Sequence, residues 1–286
     1  MASETMRDMQ YTLLMTVYSG TKVEEFKQSL DSMLLQTIPP NEIVIVADGP
    51  VSENLASYIY EQKREDARIL YYPKDVNEGP GAAAQYGLGK CSYEYVARLD
   101  SDDIAHPTRI EKQLSCFKND ESLSSVGTLV SEYVESPSFP LCIVELPEDS
   151  QEIARYARRR CPCRQTTLLY KRSAINKVGG YRKLRIAEEW DLYNRLIAAG
   201  YRCFNIQEVL VAMRVGEEYF ARRGGYSYFK AIVHFKVEMF KEGRMTLLDL
   251  VASVIPSMIV SMLPNGVRSR IYTRLLRSPD SRGRES

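Results

Sequence analysis

The 286-residue sequence lacks the motifs that mark several large classes of enzyme. It has two histidines, and it contains no Ser-His-Asp pattern, no Walker phosphate-binding loop and no HExxH zinc motif. Its six cysteines are scattered and form no CxxC pair, so we expect free thiols in a reducing compartment rather than disulfides or a zinc site. Serine-hydrolase, P-loop and zinc-protease chemistries are therefore excluded.

A net charge is also almost absent, because 38 basic residues face 37 acidic ones, but the charges are unevenly distributed. From residue 221 onward, twelve basic residues stand against five acidic ones, which gives this region about +7. Residues 245–263 are strongly apolar but contain Asp249 and Pro256, and this composition favours an interfacial helix over a full membrane crossing. The alternative is a pair of helices packed on the rest of the protein.

Short apolar runs alternate with amphipathic segments over the first hundred residues, which predicts an α/β fold with a largely parallel sheet covered by helices. Ligands of such sheets bind at the carboxyl ends of the strands. Thr16-Val17-Tyr18, Asp48 and residues 100–103 follow three of the predicted strands, so we expect them to face one crevice. Strands are predicted at 11–17, 43–47, 68–72, 93–99, 123–134, 141–146 and 166–170, and helices at 23–36, 55–64, 81–88, 107–117 and 188–199.

The carboxylates of Asp100-Ser101-Asp102 directly follow a predicted strand. Hard divalent cations such as Mn²⁺ and Mg²⁺ prefer carboxylate oxygens and bridge naturally to a diphosphate. Two carboxylates one residue apart can share such an ion and the ribose of a nucleotide. Acidic turns also cap helices, and we expect that role for Asp103.

A second acidic cluster, Glu188-Glu189-Trp190-Asp191, opens the last of these helices. A carboxylate there can act as a general base if it lies about 2.6–3.2 Å from a hydroxyl. Acidic residues are also favoured at a helix N-terminus by the helix dipole alone. Trp190 is the only tryptophan, and it suits either a sugar-stacking floor or an anchor in the core.

Taken together, these segments resemble the family-2 glycosyltransferases of bacterial capsule, exopolysaccharide and lipopolysaccharide synthesis, which have the GT-A fold. Residues 222–225 and 263–265 also resemble a branch that includes exopolysaccharide galactosyltransferases. The resemblance covers almost the whole chain and is carried by Thr16-Val17-Tyr18, Gln36-Thr37 and residues 44–49, 77–81, 98–103 and 188–192.

The resemblance implies a GT-A domain with a Rossmann-like central sheet over residues 1–220, followed by a C-terminal helical extension. Residues 1–105 would bind the nucleotide, and residues 106–220 would bind the acceptor. Residues 221–286 would form a basic, amphipathic helical region that associates with the membrane.

For the nucleotide, the resemblance implies that Asp48 accepts the uracil imide N–H, since leaving either group buried and unpaired costs about 1–3 kcal/mol. Asn77 and Gly79 would allow close approach of the backbone to the nucleotide, although a simple turn is the alternative. Arg98 would contact a phosphate or pair with a carboxylate. The other residues implied in nucleotide binding are Thr16, Val17 and Tyr18 around the uracil, and Asp100 and Ser101.

For catalysis, the resemblance implies that Asp102 ligates Mn²⁺ or Mg²⁺, with Asp100 beside it. Glu189 occupies the position of the general base, where the family usually has aspartate, and Asp191 or Glu188 is the alternative. Glu188 and Trp190 would contact the acceptor. Arg222 and Arg223 would close over the diphosphate or form a solvated basic face.

The implied function is an inverting, metal-dependent transfer of a hexose, first galactose, from a UDP-sugar to a hydroxyl of a lipid-linked oligosaccharide. The QxxRW motif of processive synthases is missing, which favours single addition. The first ten residues are too polar for a secretory signal, so we expect a cytoplasmic protein on the inner membrane surface, without a nucleic-acid partner. The alternatives are a non-catalytic sugar-nucleotide-binding scaffold and a nucleotidyltransferase. No oligomeric state follows from the sequence.

Overall fold

A computed structural model of the chain describes residues 9–216, 219 and 224–263. Nine strands and nine α-helices lie within these residues. The strands are β1 (Tyr11–Val17), β2 (Glu42–Ala47), β3 (Ile69–Pro73), β4 (Tyr95–Arg98), β5 (Ile104–Ala105), β6 (Leu123–Tyr133), β7 (Cys142–Val144), β8 (Leu169–Lys171) and β9 (Arg202–Arg214). The helices are α1 (Val23–Leu34), α2 (Glu53–Glu65), α3 (Pro80–Leu88), α4 (Arg109–Asn119), α5 (Ser150–Ala157), α6 (Arg172–Lys177), α7 (Glu188–Ala198), α8 (Gly225–Lys241) and α9 (Leu247–Met262).

One nine-stranded sheet runs through the protein in the order β3-β2-β1-β4-β8-β6-β9-β5, with β7 paired to β6. The first four strands of this order are parallel, as the alternation of strands and helices predicts. Beyond β4 the sheet is mixed, because β8 pairs antiparallel with both β4 and β6 while β6 and β9 run parallel. The predicted α/β fold is therefore confirmed, with its parallel character concentrated in the first hundred residues.

Side chains of the parallel strands alternate between two apolar clusters, one on each face of the sheet. Leu13 and Met15 of β1 pack with Phe26 of α1 on one face. Leu14 packs on the other face with Ala84 of α3 and with Leu192 of α7. Each such fully buried side chain contributes about 1.5–3 kcal/mol, and together the two clusters fix which strand ends lie side by side.

A close backbone crossing holds α7 against the sheet. The amide of Gly81, in the first turn of α3, donates to the carbonyl of Leu184 at 3.3 Å. A Cβ at Gly81 would lie 2.2 Å from the Arg182 carbonyl oxygen, so only glycine permits this approach. Helix α7 begins at Glu188, four residues after Leu184. This contact therefore places the acidic first turn of α7 next to the strand ends.

The C-terminal helices α8 and α9 pack against each other and against α7. Trp190 of α7 and Phe235 of α8 have ring centroids 5.2 Å apart, and Met239 and Met245 complete the same cluster. No helix within the described ranges is both long and apolar enough to cross a membrane.

Candidate active site

Six of the residues predicted to bind a nucleotide line one cavity of about 210 Å³ at the carboxyl ends of β1 and β2. The ends of these strands meet there because β1 lies between β2 and β4 in the sheet. Arg185, from the loop before α7, also lines this cavity and is absent from the sequence-based prediction. The six predicted residues are Thr16, Val17, Tyr18, Asp48, Asn77 and Gly79.

Asp48 is almost buried and organises the loop that follows β3. Its carboxylate accepts hydrogen bonds from the amides of Glu78 at 3.0 Å and Gly79 at 2.8 Å, and from the Lys74 ammonium at 2.9 Å. Burial lowers the pKa of Lys74, but the hydrogen bonds to Asp48 and Glu78 raise it, and the net result lies above its ordinary value. Because a carboxylate has about four acceptor positions, one remains for a further donor such as an imide N–H.

The Asp100-Ser101-Asp102 segment lies immediately beyond β4 and is held by neighbouring loops. The Ser29 hydroxyl donates to the Asp100 carbonyl at 2.8 Å, and the Asp100 amide donates to the Thr166 hydroxyl at 3.2 Å. The Ser101 hydroxyl lies 3.3 Å from that of Thr21. These contacts use backbone atoms and the serine hydroxyl, and they hold the acidic segment in place at the end of the sheet.

Asp103 does not cap the following helix, contrary to the sequence-based prediction. It is buried and accepts a hydrogen bond from the Arg214 amide of β9 at 2.9 Å. Helix α4 starts later, at Arg109, with Thr108 at its N-cap. Burial, with the charges of Asp102 and Asp100, raises the pKa of Asp103 well above its usual range.

The carboxylates of Asp100 and Asp102 suit a divalent ion that binds to both protein and substrate. No group of three or more histidine, cysteine or acidic side chains in the described part of the chain is arranged to hold a metal alone. Mg²⁺ is commonly bound by one or two carboxylates together with substrate phosphates, and Asp100 and Asp102 provide that number at a strand end. The residues present therefore fit a metal that binds together with a diphosphate.

Arg98 of β4 is completely buried below this segment. Its guanidinium lies 3.9 Å from an Asp100 carboxylate oxygen and has no hydrogen-bond partner within the described residues. Of the two predicted roles, its position favours charge pairing with Asp100 over contact with a phosphate.

The first turn of α7 lies beside the end of β4, and its acids differ in environment. Burial, followed by the charge of Glu189, raises the pKa of Glu188 to about 8, and Asp100 adds to this while Arg98 opposes it. Glu189 is half-buried. Asp191 is buried and ion-paired with Arg195 at 2.8 Å and with Arg244 at 3.0 Å.

Trp190 lies in the interior between α7 and α8. Its side chain is 6% exposed, and its indole N–H donates to the Ala157 carbonyl at 2.7 Å. This position favours a core anchor over a sugar-stacking floor. Arg222 and Arg223, predicted to close over a diphosphate, lie outside the described residues.

The model of the family named Glycosyl transferase family 2 matches residues 12–179, so the chain belongs to that family. It is a glycosyltransferase with the GT-A fold. A UDP-Gal:alpha-D-GlcNAc-diphosphoundecaprenol beta-1,3-galactosyltransferase of Escherichia coli is 29% identical over 94% of this chain and 97% of its own length. The amylovoran biosynthesis glycosyltransferase AmsE of Erwinia amylovora is 30% identical over 78% of this chain and 83% of its own.

Two solved structures share the fold. The mannosyltransferase PcManGT of Pyrobaculum calidifontis, in complex with GDP-Man and Mn²⁺, has a TM-score of 0.63 at 15% identity over 93% of this chain and 80% of that one. TarS 1-349 of S. aureus, in complex with UDP-GlcNAc, has a TM-score of 0.59 at 16% identity over 92% of this chain and 70% of that one. The chain spans 53% of a longer TarS structure.

Proposed function

We propose that this glycosyltransferase is an inverting, metal-dependent enzyme of bacterial surface polysaccharide synthesis. It transfers a hexose, for which galactose is the first candidate, from a UDP-sugar to a hydroxyl of a lipid-linked oligosaccharide. The observation that carries the proposal is that two candidate walls of one site stand at the carboxyl ends of the neighbouring strands β2, β1 and β4. One wall is the cavity at Thr16 and Asp48, and the other is the acidic segment 100–102 next to α7. The E. coli relative, whose name specifies UDP-Gal and a diphosphoundecaprenol acceptor, supports the choice of substrates.

In this proposal the nucleotide lies along the strand ends. The uracil enters the cavity, where its imide N–H takes the remaining acceptor position on Asp48. Tyr18 and Thr16 line the cavity wall, and the loop at Asn77 and Gly79 lies beneath the base. The diphosphate then extends toward Asp100 and Asp102, which would hold the Mn²⁺ or Mg²⁺ that neutralises charge on the leaving diphosphate.

Glu189 is the proposed general base. Asp191 is engaged by buried arginines, and the raised pKa of Glu188 leaves that residue mostly protonated at neutral pH. Glu189 would take the proton from the acceptor hydroxyl, and the hydroxyl oxygen would attack the anomeric carbon from the side opposite UDP. The bond to the sugar forms as the bond to UDP breaks, which inverts the anomeric configuration.

The proposed acceptor lies at a membrane surface, which α9 is suited to approach. Six large apolar side chains of α9 are 45–78% exposed and fall within about 120° of the helix circumference. Asp249 does not interrupt this face, because it points inward and pairs with Arg159 at 2.7 Å. The six residues are Leu247, Leu248, Val251, Ile255, Met258 and Ile259.

Positive charge next to this apolar face favours an anionic lipid surface as its partner. Arg159 contacts Asp249 near the start of α9 and is exposed, as are its chain neighbours Arg158 and Arg160, and the sequence from residue 221 carries about +7. We therefore propose residues 1–220 as the catalytic domain, divided near residue 105 into donor and acceptor halves, and residues 221–286 as the region that contacts the membrane. The working place would be the cytoplasmic face of the inner membrane.

The activity is tested by measuring UDP release from a panel of UDP-sugars with Mn²⁺ and a GlcNAc-diphospholipid acceptor. We expect release with UDP-galactose that requires the acceptor. Release that is no faster with acceptor than without it, for every sugar in the panel, would contradict the proposed transfer and favour the scaffold alternative. Membership of a glycosyltransferase family argues against the nucleotidyltransferase alternative.

The membrane contact is tested by sedimentation with vesicles of phosphatidylglycerol and phosphatidylethanolamine. Leu248→Glu combined with Ile255→Glu is expected to abolish sedimentation. Leu35→Glu is the matched control, since Leu35 is 74% exposed on a different helix end and should leave sedimentation unchanged. Equal sedimentation of both variants and wild type would refute a role for this face.

A further inference from the structure

Arg185 covers one side of the nucleotide cavity although it belongs to no motif in the sequence. It lines the cavity together with Thr16, Tyr18 and Asp48. Its Cγ atom lies 3.2 Å from the position that a Cβ at Gly79 would take, so its aliphatic stem passes over the loop that Asp48 organises. The side chain of Arg185 is exposed.

The backbone that carries Arg185 is fixed on both sides. On one side, the Leu184 carbonyl accepts the Gly81 amide at 3.3 Å. On the other side, Ala187 adopts a left-handed conformation with φ of 59°, after which α7 begins. The position of Arg185 at the cavity therefore follows from the packing of the loop before α7 against α3.

Two lysines of the described loops around the cavity have carboxylate partners. Lys74 pairs with Asp48 and Glu78, and Lys183 pairs with Glu78 as well. Arg185, in contrast, forms no hydrogen bond or ion pair with any residue in the described ranges. Among the described residues, Arg185 is thus a cation without a carboxylate partner that lines a cavity whose other charged lining residue is an aspartate.

We propose that Arg185 binds the diphosphate of the nucleotide-sugar donor, an inference that rests on the proposed function. Uracil and ribose are neutral, and the diphosphate is the part of the donor whose charge an unpaired guanidinium complements. The planar guanidinium offers several N–H donors that match phosphate oxygens in pairs. Arg185 would hold the diphosphate from the side of α3, whereas the acidic segment 100–102 with its metal would hold it from the side of β4.

The test compares the binding of uridine and UDP, in the presence of Mn²⁺, to wild type, Arg185→Gln and Arg185→Lys. We expect Arg185→Gln to weaken UDP binding about 10- to 100-fold and to change uridine binding less than about 2-fold, because the lost hydrogen bonds are charge-assisted. Arg185→Lys keeps the charge without the paired donors, and a smaller loss for UDP is expected. Lys183→Gln is the matched control, because it removes a cation from the same loop that is paired with Glu78.

Unchanged UDP binding in Arg185→Gln, or an equal loss for uridine and UDP, would overturn the proposal. Melting temperatures of all variants are measured in parallel, and the exposed position of Arg185 predicts that they match wild type. The outcome is separable from that of the proposed function. Wild type that binds UDP but transfers no sugar would contradict the function and leave the Arg185 test intact, whereas normal transfer with unaffected UDP binding in Arg185→Gln would contradict only the role of Arg185.

Discussion

The two walls of the site are built in different ways. On the nucleotide wall, the Asp48 carboxylate accepts three hydrogen bonds from the protein itself, and these bonds preform the loop that follows β3. On the other wall, where α7 stands beside the acidic segment 100–102, acids of α7 only a few residues apart have separate environments, since Asp191 is held in buried ion pairs and Glu189 is half-buried. The ion-pair partners of Asp191 give it a structural role, although it stands in the same motif as Glu189, the proposed base.

The largest effect is expected from the proposed metal, which Asp100 and Asp102 would hold against the diphosphate of the nucleotide. Chelation of divalent ions with EDTA, or Asp102→Asn with Mn²⁺ present, is expected to lower the rate of UDP release by at least about 100-fold, since the diphosphate would then leave without charge neutralisation. Asp75→Asn, at an exposed position on the loop after β3, is the control and should retain the full rate. Full activity in EDTA would contradict the proposed metal dependence.

Asp191→Asn sharpens the distinction within α7. It would leave the buried guanidinium of Arg195 without its carboxylate and Arg244 with Glu242 alone, and we expect the free energy of unfolding to fall by about 3–5 kcal/mol. Urea unfolding measures this loss, with Asp75→Asn again expected to be neutral. If Asp191→Asn were as stable as wild type but inactive, Asp191 would be the base and the comparison would fail.

Asp48→Asn tests the nucleotide wall. Loss of the negative charge weakens the hydrogen bonds from Lys74 and the two loop amides, so the affinities for uridine and for UDP should both fall by about tenfold. Titration calorimetry with both ligands checks this. A loss confined to UDP would mean that Asp48 acts near the diphosphate, and the placement of uracil would then be wrong.

The smallest effect concerns the stability of the protein as a function of pH. The pKa of Glu188 is raised to about 8 in the folded chain, above its value of about 4.5 when unfolded, so its contribution to stability is present below pH 4.5 and is lost as the pH rises toward 8. Because glutamine does not ionise, Glu188→Gln should not lose stability in this way as the pH rises. Its melting temperature should exceed that of wild type by at least about 2 °C at pH 8 and by less at pH 5. A difference independent of pH would contradict the buried, protonated state of Glu188.

Much of the parallel half of the fold could be predicted from sequence. Strand β1 has the predicted limits, and β2 and β3 differ from prediction by one residue at their ends, because their apolar runs and the turns after them are local signals. Strand β9 was not predicted. Its polar Gln207 and Glu208 fall where the register with β6 shifts, and this irregularity breaks the alternating pattern that identifies a strand.

The part of the candidate site that directly follows predicted strands could be predicted from sequence. Thr16, Val17, Tyr18 and Asp48 line one cavity, whereas residues 100–103 are not among its lining residues. Asp103 and Arg185 could not be placed from sequence. Asp103 accepts a hydrogen bond from Arg214, which lies 111 residues away. Arg185 reaches the cavity through the crossing of Leu184 over Gly81. Both positions depend on contacts between distant segments, which periodicity does not report. The roles assigned to the site residues stay predictions.

The role of Glu189 as the general base is tested by the rate of sugar transfer by Glu189→Gln and Glu189→Asp, with UDP affinity measured on the same samples. We expect Glu189→Gln to lower kcat by about 10²- to 10⁴-fold with UDP affinity unchanged, because it removes the proton acceptor and leaves the nucleotide wall intact. Glu189→Asp keeps a carboxylate at this position and should retain more activity than Glu189→Gln. Transfer by Glu189→Gln at the wild-type rate would contradict the account, since Glu189 could not then be the base.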